Sequence, residues 1–235
     1  MNRYKKANLW DDINKYGPNS PVTSIDDPRV QFIADSHNIS KEQALEYFGK
    51  KHTDVIQEYY KRDYFTKNYG WSIPDKKSLQ KVKRFIGSDQ VLEIGSGYGL
   101  WAKLMKDMGI NVIATDALSD PEQKKYRPLD KTFTEIENLT HSDAINKYGS
   151  ANVLMLSWPP YLCSMAAQSI KNFKGNKLIF IGEGSGGCTA DDDFFKELDN
   201  NWQEVEQIKE FLAKRWVGIY DTLTLWKRKM PWGIK

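Results

Sequence analysis

Residues 91–99 read VLEIGSGYG, a short apolar run that leads into a cluster of glycines. An amphipathic stretch, WAKLM, follows at residues 101–105, and a second apolar run, NVIATD at residues 111–116, ends in an acid. This order of patterns predicts a strand, a helix and a second strand, the β-α-β unit that holds nucleotide-like ligands. Three glycines within five residues indicate a turn with positive φ angles, or a backbone that approaches a ligand closely.

Two details of this unit favour a cationic ligand over a dinucleotide. The glycines follow the spacing Gly-x-Gly-x-Gly instead of Gly-x-Gly-x-x-Gly. Glu93 stands two positions before Gly95, where its charge would repel a pyrophosphate. S-adenosylmethionine meets both conditions, because its sulfonium and ammonium groups are cationic, it carries no phosphate, and its ribose offers two hydroxyls to Asp116. The alternatives are an ordinary α/β loop and another dinucleotide-binding fold.

These residues resemble the first two motifs of the class I S-adenosylmethionine-dependent methyltransferases. The resemblance implies that the loop at Gly95 and Gly97 packs on the methionine part of the cofactor and that Asp116 binds the ribose hydroxyls. The product would be S-adenosylhomocysteine. The resemblance extends over residues 69–230, and the chain looks like a microbial and viral branch of the family.

The same resemblance assigns residues outside the glycine loop. Asp143 stands where the family has an acid that accepts a hydrogen bond from the adenine amino group, although it is equally placed to cap the helix that starts at residue 144. Trp71 and Ile73 lie just upstream of the first strand, in a segment that many class I methyltransferases use to cover the methionine end of the cofactor.

Residues 151–161, ANVLMLSWPPY, form the second informative stretch. A buried parallel strand that ends in Pro-Pro-aromatic places its last residues at the ligand-binding edge of the sheet. The stretch resembles the fourth motif of amino methyltransferases, Asp/Asn/Ser-Pro-Pro-aromatic. Enzymes with this motif act on exocyclic amines of nucleobases or on glutamine amides. The resemblance implies that the Pro159 carbonyl and a polar side chain accept hydrogen bonds from the target NH2, while the Tyr161 ring stacks on it.

One position departs from that motif. Trp158 precedes Pro159, and the polar residue, Ser157, stands one place further back. A shift of one residue along a strand points a side chain to the opposite face. Ser157, Pro159 and Tyr161 are the predicted catalytic residues, with Ser157 also at the cofactor and Trp158 and Tyr161 at the substrate. The alternative is that the two prolines merely end a core strand.

A glycine-rich loop at residues 182–193 follows the predicted fifth strand. Glu183 comes directly after that strand, so we expect it to face the substrate at the edge of the sheet. The three aspartates at residues 191–193 favour a helix start over a metal site, and no metal is predicted.

The predicted fold is α/β, with a Rossmann-like seven-stranded sheet of the class I methyltransferase type and a helical N-terminal extension. The third, fifth and sixth strands are expected at residues 131–138, 177–182 and 202–211, a loop at 119–127, and a helix at 75–85 ahead of the first strand. The final antiparallel strand, residues 222–227, is expected beside the fifth. The predicted divisions are a flexible, irregular arm at residues 1–28, a helical cap at 29–75 and the S-adenosylmethionine-binding domain at 76–235. In the cap, the predicted helices span residues 30–37, 41–48 and 53–65; the first two also match a generic DNA-binding helix-turn-helix.

Charge and composition give a weaker indication of partners. The 235 residues carry a net charge of +3 and contain only two cysteines, and no apolar run approaches the ~20 residues of a membrane span. We therefore expect a cytoplasmic protein with no membrane partner. Residues 50–84 carry ten Lys/Arg and four Asp/Glu, interleaved with aromatics, a composition typical of surfaces that bind single-stranded nucleic acid. Helices whose aromatics pack inside a domain have the same composition.

Four functions therefore remain open for the chain. The first is methylation of a nucleobase amine stacked on Tyr161, with the nucleic acid backbone along Lys61, Arg62 and Lys67. The second and third are methylation of a small molecule and of a protein side chain. The fourth is a binding module that keeps the cofactor and transfers no methyl group.

Overall fold

The computed structural model describes residues 8–49, 54–117 and 132–229. The chain divides into two compact units. The boundary between them falls between Ile73 and Pro74, two residues before the predicted start of the C-terminal domain.

A short segment near the C-terminus, Lys214–Ile219, belongs to the N-terminal unit. The prediction that residues 76–235 form one domain is wrong at this segment. The physical reason is Trp216, which is buried and places its ring centroid 5.7 Å from that of Phe65. Nothing in the local sequence of the segment indicates so distant a partner.

The N-terminal unit is helical. Its helices are α1 Leu9–Tyr16, α2 Pro28–His37, α3 Lys41–Glu46 and α4 Asp54–Asn68. Helix α1 corrects the prediction of an irregular arm over residues 1–28, within the part that the structure describes. The side chains of Leu9, Ile13 and Tyr16 are spaced to form one buried stripe, and the Asn8 side chain caps the helix by accepting from the Trp10 N–H.

Arg29 holds the segment between α1 and α2 in place. Its side chain is 1% exposed and pairs with Asp27 at 2.8 Å. The same guanidinium donates to the Ser20 hydroxyl at 2.6 Å and to the Pro21 carbonyl at 2.8 Å. The planar fork of donors of an arginine can satisfy several acceptors at once, so one side chain orders a stretch that has little periodicity of its own.

The C-terminal unit is built on one seven-stranded sheet. Its strands are β1 Val91–Ile94, β2 Val112–Asp116, β3 Glu137–Asn138, β4 Val153–Ser157, β5 Lys177–Gly182, β6 Trp202–Gln207 and β7 Thr222–Arg228. The order across the sheet is β3-β2-β1-β4-β5-β7-β6. Strand β7 runs antiparallel between β5 and β6, with Lys177 opposite Lys227 and Gly182 opposite Thr222. The predicted seven-stranded Rossmann-like α/β fold is confirmed.

In the part of the chain that the structure describes, five α-helices and one 3-10 helix flank these strands. They are α5 Lys76–Ile86, α6 Leu100–Asp107, α7 His141–Lys147, α8 Met165–Asn172, α9 Asp192–Asn201 and the 3-10 helix Lys209–Lys214. A core cluster between sheet and helices includes Leu154, Phe180 and Trp202. The central strands are buried along almost their whole length and are mostly apolar, because helices cover both faces of such a sheet.

Two predicted strands differ from the observed ones. The third was expected over residues 131–138, but only Glu137–Asn138 pairs with β2. The sixth ends at Gln207, and the 3-10 helix takes the place of its predicted continuation to Phe211. A loop predicted at residues 119–127 lies outside the described residues.

We predict that Arg29→Ala destabilises the N-terminal unit by about 3–5 kcal/mol, because it leaves the Asp27 carboxylate and the buried Ser20 hydroxyl without their partner. Urea unfolding followed by hydrogen exchange of the α2 amides would measure this loss. Lys67→Ala is the control, since Lys67 is exposed in its pair with Asp63 and such pairs contribute at most about 1 kcal/mol. Equal stability of the two variants would contradict the prediction.

Candidate functional site

The glycine loop connects β1 to α6 through three backbone positions with positive φ. Gly95, Gly97 and Gly99 have φ angles of 73°, 59° and 75°. Residues with a Cβ rarely adopt this region, so glycine is required at each. At Gly99 space is also limiting, because a Cβ would lie 2.9 Å from Thr134 Cγ2.

Asp116 joins this loop to the neighbouring strand. It is the last residue of β2 and is 8% exposed. Its Oδ2 accepts a hydrogen bond from the Gly97 N–H at 2.9 Å, and the Ser96 N–H donates to the Thr115 carbonyl at 3.0 Å. Asp116, the acid predicted to bind the ribose hydroxyls, is therefore in direct contact with the glycine loop.

Glu93 is the most deeply buried acid of the site. Its side chain is 1% exposed, and Oε2 has no hydrogen-bond partner among the described residues. The pKa of the carboxyl is raised to about 8, chiefly by burial; the Ser96 hydroxyl opposes the shift, the charge of Asp116 adds to it, and Lys106 and the Ala102 N–H also oppose it. At neutral pH the carboxyl is therefore mainly protonated in the ligand-free protein.

Asp143 lies at the start of α7. The helix cap is Thr140, whose hydroxyl accepts from the Asp143 N–H at 3.2 Å and donates to Asp143 Oδ2 at 2.7 Å. The alternative prediction that Asp143 itself caps a helix is therefore wrong. The Asp143 side chain is exposed, and its predicted contact with adenine stays a prediction.

The departure from the amino-methyltransferase motif has a structural counterpart. Strand β4 ends at Ser157, and Trp158 follows in the left-handed region with φ 51°. The Trp158 N–H donates to the Ile181 carbonyl at 2.7 Å, and its indole N–H donates to Asp221 Oδ2 at 3.1 Å. A tryptophan in this region costs about 1–3 kcal/mol, and such strain persists only where surrounding contacts fix it.

The residues after Trp158 bond to the loop that follows β5. The Pro159 carbonyl accepts from the Ala190 N–H at 3.2 Å, and the Leu162 N–H donates to the Ala190 carbonyl at 2.8 Å. One predicted acceptor for a target amine is thus already engaged by a backbone donor. Tyr161, between these bonds, is 57% exposed, as a ring that stacks on a ligand must be before binding.

The Glu183 side chain, which was predicted to face the substrate at the edge of the sheet, is engaged within the protein. It is 8% exposed, and its two carboxylate oxygens accept backbone hydrogen bonds from Cys188 at 2.8 Å and Tyr220 at 3.0 Å. The structure therefore gives Glu183 a role in joining loops. The N-cap predicted in the same stretch is present, because Asp191 Oδ1 accepts from the Phe194 N–H at 2.9 Å.

Trp71 belongs to the N-terminal unit. It is 47% exposed, and the Arg62 guanidinium carbon lies 5.2 Å from its ring centroid. Ile73 is buried. Their predicted role as walls of a cofactor pocket stays a prediction.

Several residues of the basic segment make contacts within the N-terminal unit, whereas Tyr59 and Trp71 are 61% and 47% exposed. Lys61 is buried and pairs with the buried Glu58 at 2.8 Å, and Lys67 pairs with Asp63 at 3.3 Å. Phe65 and Tyr69 are buried and stack at 5.0 Å. These contacts favour the packing alternative for this composition over a track for nucleic acid.

Sequence reasoning missed two residues that hold the loop after β4, Asp221 and Ala190. Asp221 lies at the start of β7 and fixes the Trp158 indole, while Ala190, with φ 57°, bonds to the loop after β4. An alanine in the left-handed region leaves no mark in the sequence. Asp221 stands directly before a predicted strand, and an acid at such a position is a signal that the sequence does contain.

The part of the chain that the structure describes contains no group of three or more His, Cys, Asp or Glu side chains arranged to hold a metal ion. Within the same residues, every helix is too short or too polar to cross a membrane.

Comparisons with known proteins add similarity of structure only. No family model and no curated protein matches the sequence. Among solved structures, magnesium protoporphyrin IX methyltransferase from Synechocystis PCC 6803 with bound S-adenosylmethionine aligns over 86% of this chain and 97% of its own, with 12% identity and a TM-score of 0.47. Two other solved structures, a ribosomal protein methylase and a Rossmann superfamily protein, have TM-scores of 0.41 and 0.43.

The ribosomal protein L11 methylase from Lactobacillus delbrueckii subsp. bulgaricus aligns over 66% of this chain and 76% of its own, with 13% identity. A protein of the NADB-Rossmann superfamily from Streptococcus agalactiae aligns over 68% and 71%, with 14% identity. At these identities and TM-scores the similarities define no function for this chain. Its fold follows from the strand order.

We predict that Glu93 makes the stability of the protein depend on pH. The pKa of its carboxyl is about 8 in the folded protein against an ordinary value of 4.5, so the folded state holds a proton that the unfolded chain loses. Its contribution is full below pH 4.5 and is lost as the pH rises to 8, by roughly 1 kcal/mol for each pH unit.

Glu93→Gln removes that dependence and should be more stable than wild type at pH 8.5, with little difference at pH 4.5. Urea unfolding at a series of pH values measures the effect. Glu135→Gln, at an exposed position, is the control and should follow wild type. The same pH slope for wild type and Glu93→Gln would show that the buried carboxyl is not protonated.

Proposed function

We propose that this chain binds S-adenosylmethionine at the carboxyl ends of β1 and β2 and transfers its methyl group. The observation that carries the proposal is the contact between the glycine loop and Asp116, beside the buried Glu93. Two acids at the ends of adjacent parallel strands, with a glycine turn between them, suit a ligand that has hydroxyls and cationic groups.

The residues present fit the cofactor. The unpartnered Oε2 of Glu93 is a buried acceptor that a cationic group would satisfy, which supports the assignment of the methionine end to the glycine loop. We assign the ribose hydroxyls to Asp116 and the adenine amine to the exposed Asp143. When bound, the cofactor supplies a methyl group on a positively charged sulfur, and the sulfur becomes neutral as S-adenosylhomocysteine.

The protein contributes by positioning the acceptor. Displacement at a methyl carbon needs an acceptor held in line with the breaking bond, and such orientation can supply a large part of the rate enhancement. Ser157 is the last residue of β4, and Pro159 and Tyr161 follow it, at the same edge of the sheet as the glycine loop. We assign them to the acceptor.

For the acceptor we propose a small molecule with a flat ring, of which a nucleobase amine is the model. The exposed Tyr161 ring supports stacking, which contributes about 1–3 kcal/mol for a base. The buried ion pair of Lys61 with Glu58 speaks against a long phosphate track along the basic segment, because Lys61 already has an anionic partner. An acceptor of nucleoside size needs no such track.

A second candidate is a binding module that keeps the cofactor and transfers no methyl group. It is favoured by the bond from Ala190 to the Pro159 carbonyl, which engages an expected acceptor of the target amine. A carbonyl has two lone pairs, so the bond weakens the catalytic assignment without removing it. Labelled S-adenosylmethionine with nucleosides, nucleic acids, protein extract and metabolites separates the two: binding without any transfer supports the module.

Calorimetry with S-adenosylmethionine and S-adenosylhomocysteine tests the cofactor directly, and we predict that both bind. Asp116→Ala should weaken both by about 1–3 kcal/mol, because hydrogen bonds to a charged group are lost. Asp107→Ala, at an exposed position at the end of α6, is the matched control and should bind as wild type. Absence of binding to either ligand by wild type would end the proposal.

Salt dependence distinguishes a small acceptor from a nucleic acid. Neutralising several phosphates releases counterions, so a nucleic acid surface loses affinity steeply as salt rises. We predict weak oligonucleotide binding at about 50 mM salt with almost no salt slope. A steep slope that is reduced in Arg62→Ala and Lys67→Ala would restore the nucleic acid acceptor.

A further inference from the structure

The loop that follows β5 is closed by one carboxylate. Glu183 comes directly after β5, and its Oε2 accepts from the Cys188 N–H further along the same loop. Its Oε1 accepts from the N–H of Tyr220, just before β7. The Thr189 hydroxyl adds a bond of 2.8 Å to the Glu183 carbonyl. These bonds fix both ends of the loop around a side chain that is almost fully buried.

The fixed loop leads directly to the residues assigned to the acceptor. Ala190 follows Thr189 and has a left-handed backbone. It donates to the Pro159 carbonyl and accepts from the Leu162 N–H, so the chain between these two bonds carries Tyr161. Leu162 is itself left-handed, with φ 54°. Two strained residues that bond to each other require a neighbouring element to hold them, and the loop closed by Glu183 is that element.

We infer that Glu183 is a positioning residue for the methyl acceptor: its buried carboxylate sets the loop that holds Pro159 and Leu162, and so sets the position of the Tyr161 ring. The ligand concerned is a flat ring stacked on Tyr161. The inference rests on the proposed function, because it names what orients the acceptor of that reaction.

The chemistry of the side chain explains why an acid is needed. A carboxylate has two oxygens that only accept, and here each one meets a backbone N–H. A glutamine has a single acceptor oxygen, and its NH2 group would face the other N–H, donor against donor. Glu183→Gln therefore breaks one of the two bonds while it preserves the size of the side chain.

The same loop offers a second variant and a matched control. A Cβ at Gly187 would lie 2.5 Å from Glu183 Cβ and 2.9 Å from its Oε2, so Gly187→Ala must displace Glu183. A Cβ at Gly184 meets nothing within 4 Å, and the backbone there does not require glycine. Gly184→Ala thus makes the same chemical change three residues away without touching the carboxylate.

Three measurements on the full chain test the inference. Hydrogen exchange reports the Leu162 amide, calorimetry gives the dissociation constant of S-adenosylmethionine, and labelled methyl transfer to adenosine and to cytidine gives KM and kcat. For Glu183→Gln and Gly187→Ala we expect Leu162 to exchange about tenfold faster and the nucleoside KM to rise about tenfold. The cofactor constant should stay within about twofold, and Gly184→Ala should match wild type in all three.

The outcomes separate this inference from the proposed function. The positioning role is overturned if the Leu162 amide exchanges at the wild-type rate in both variants, or if the nucleoside KM does not change. Loss of cofactor binding in both variants shows a general structural effect and also overturns it. If wild-type protein fails to bind S-adenosylmethionine, or methylates neither nucleoside, the proposed cofactor or acceptor is wrong, and the inference falls as an account of acceptor positioning.

Discussion

The hydrogen bond from the Gly97 N–H to Asp116 is the contact on which the candidate site depends. It forms only because β1 and β2 are parallel neighbours whose carboxyl ends meet at one edge of the sheet. It also requires the positive φ angle that glycine allows at residue 97. Sheet topology, turn geometry and the placement of an acid therefore meet in one interaction, and the burial of Glu93 beside it follows from the same packing.

The sequence predicted the elements whose signal is local. Strand β5 was expected at residues 177–182 and is found there, because a continuous apolar run in a parallel sheet is short and clearly bounded. Helix α5 begins after Asp75, the capping residue beside the predicted start. Strand β7 lies beside β5 as expected. In the site, the glycine loop and Asp116 are adjacent as predicted, since a β-α-β unit fixes their relation within a few residues.

Features that depend on distant partners were not predictable from the pattern. Trp216 joins the N-terminal unit through Phe65, over 150 residues earlier in the chain. Glu183 is held by Tyr220, and Trp158 by Asp221, across loops that no local periodicity connects. The left-handed backbone at Trp158 likewise follows from these contacts and from no preference of tryptophan. The apolar run before the two prolines therefore predicted where β4 ends, but not how the Pro159 carbonyl and the Tyr161 ring are oriented.

The charge of Glu93 differs from the one that the sequence suggests. A negative charge before the glycines was expected to repel a pyrophosphate, but burial raises the pKa of this carboxyl to about 8, so at neutral pH it is mostly uncharged before a ligand binds. A cationic group near Oε2 would favour the ionised form and lower that pKa, whereas a phosphate would favour the neutral form. If the proposed cofactor binds here, discrimination between the two ligands would come from what each does to the protonation of Glu93. A cation placed near Oε2 would then displace the proton of this carboxyl.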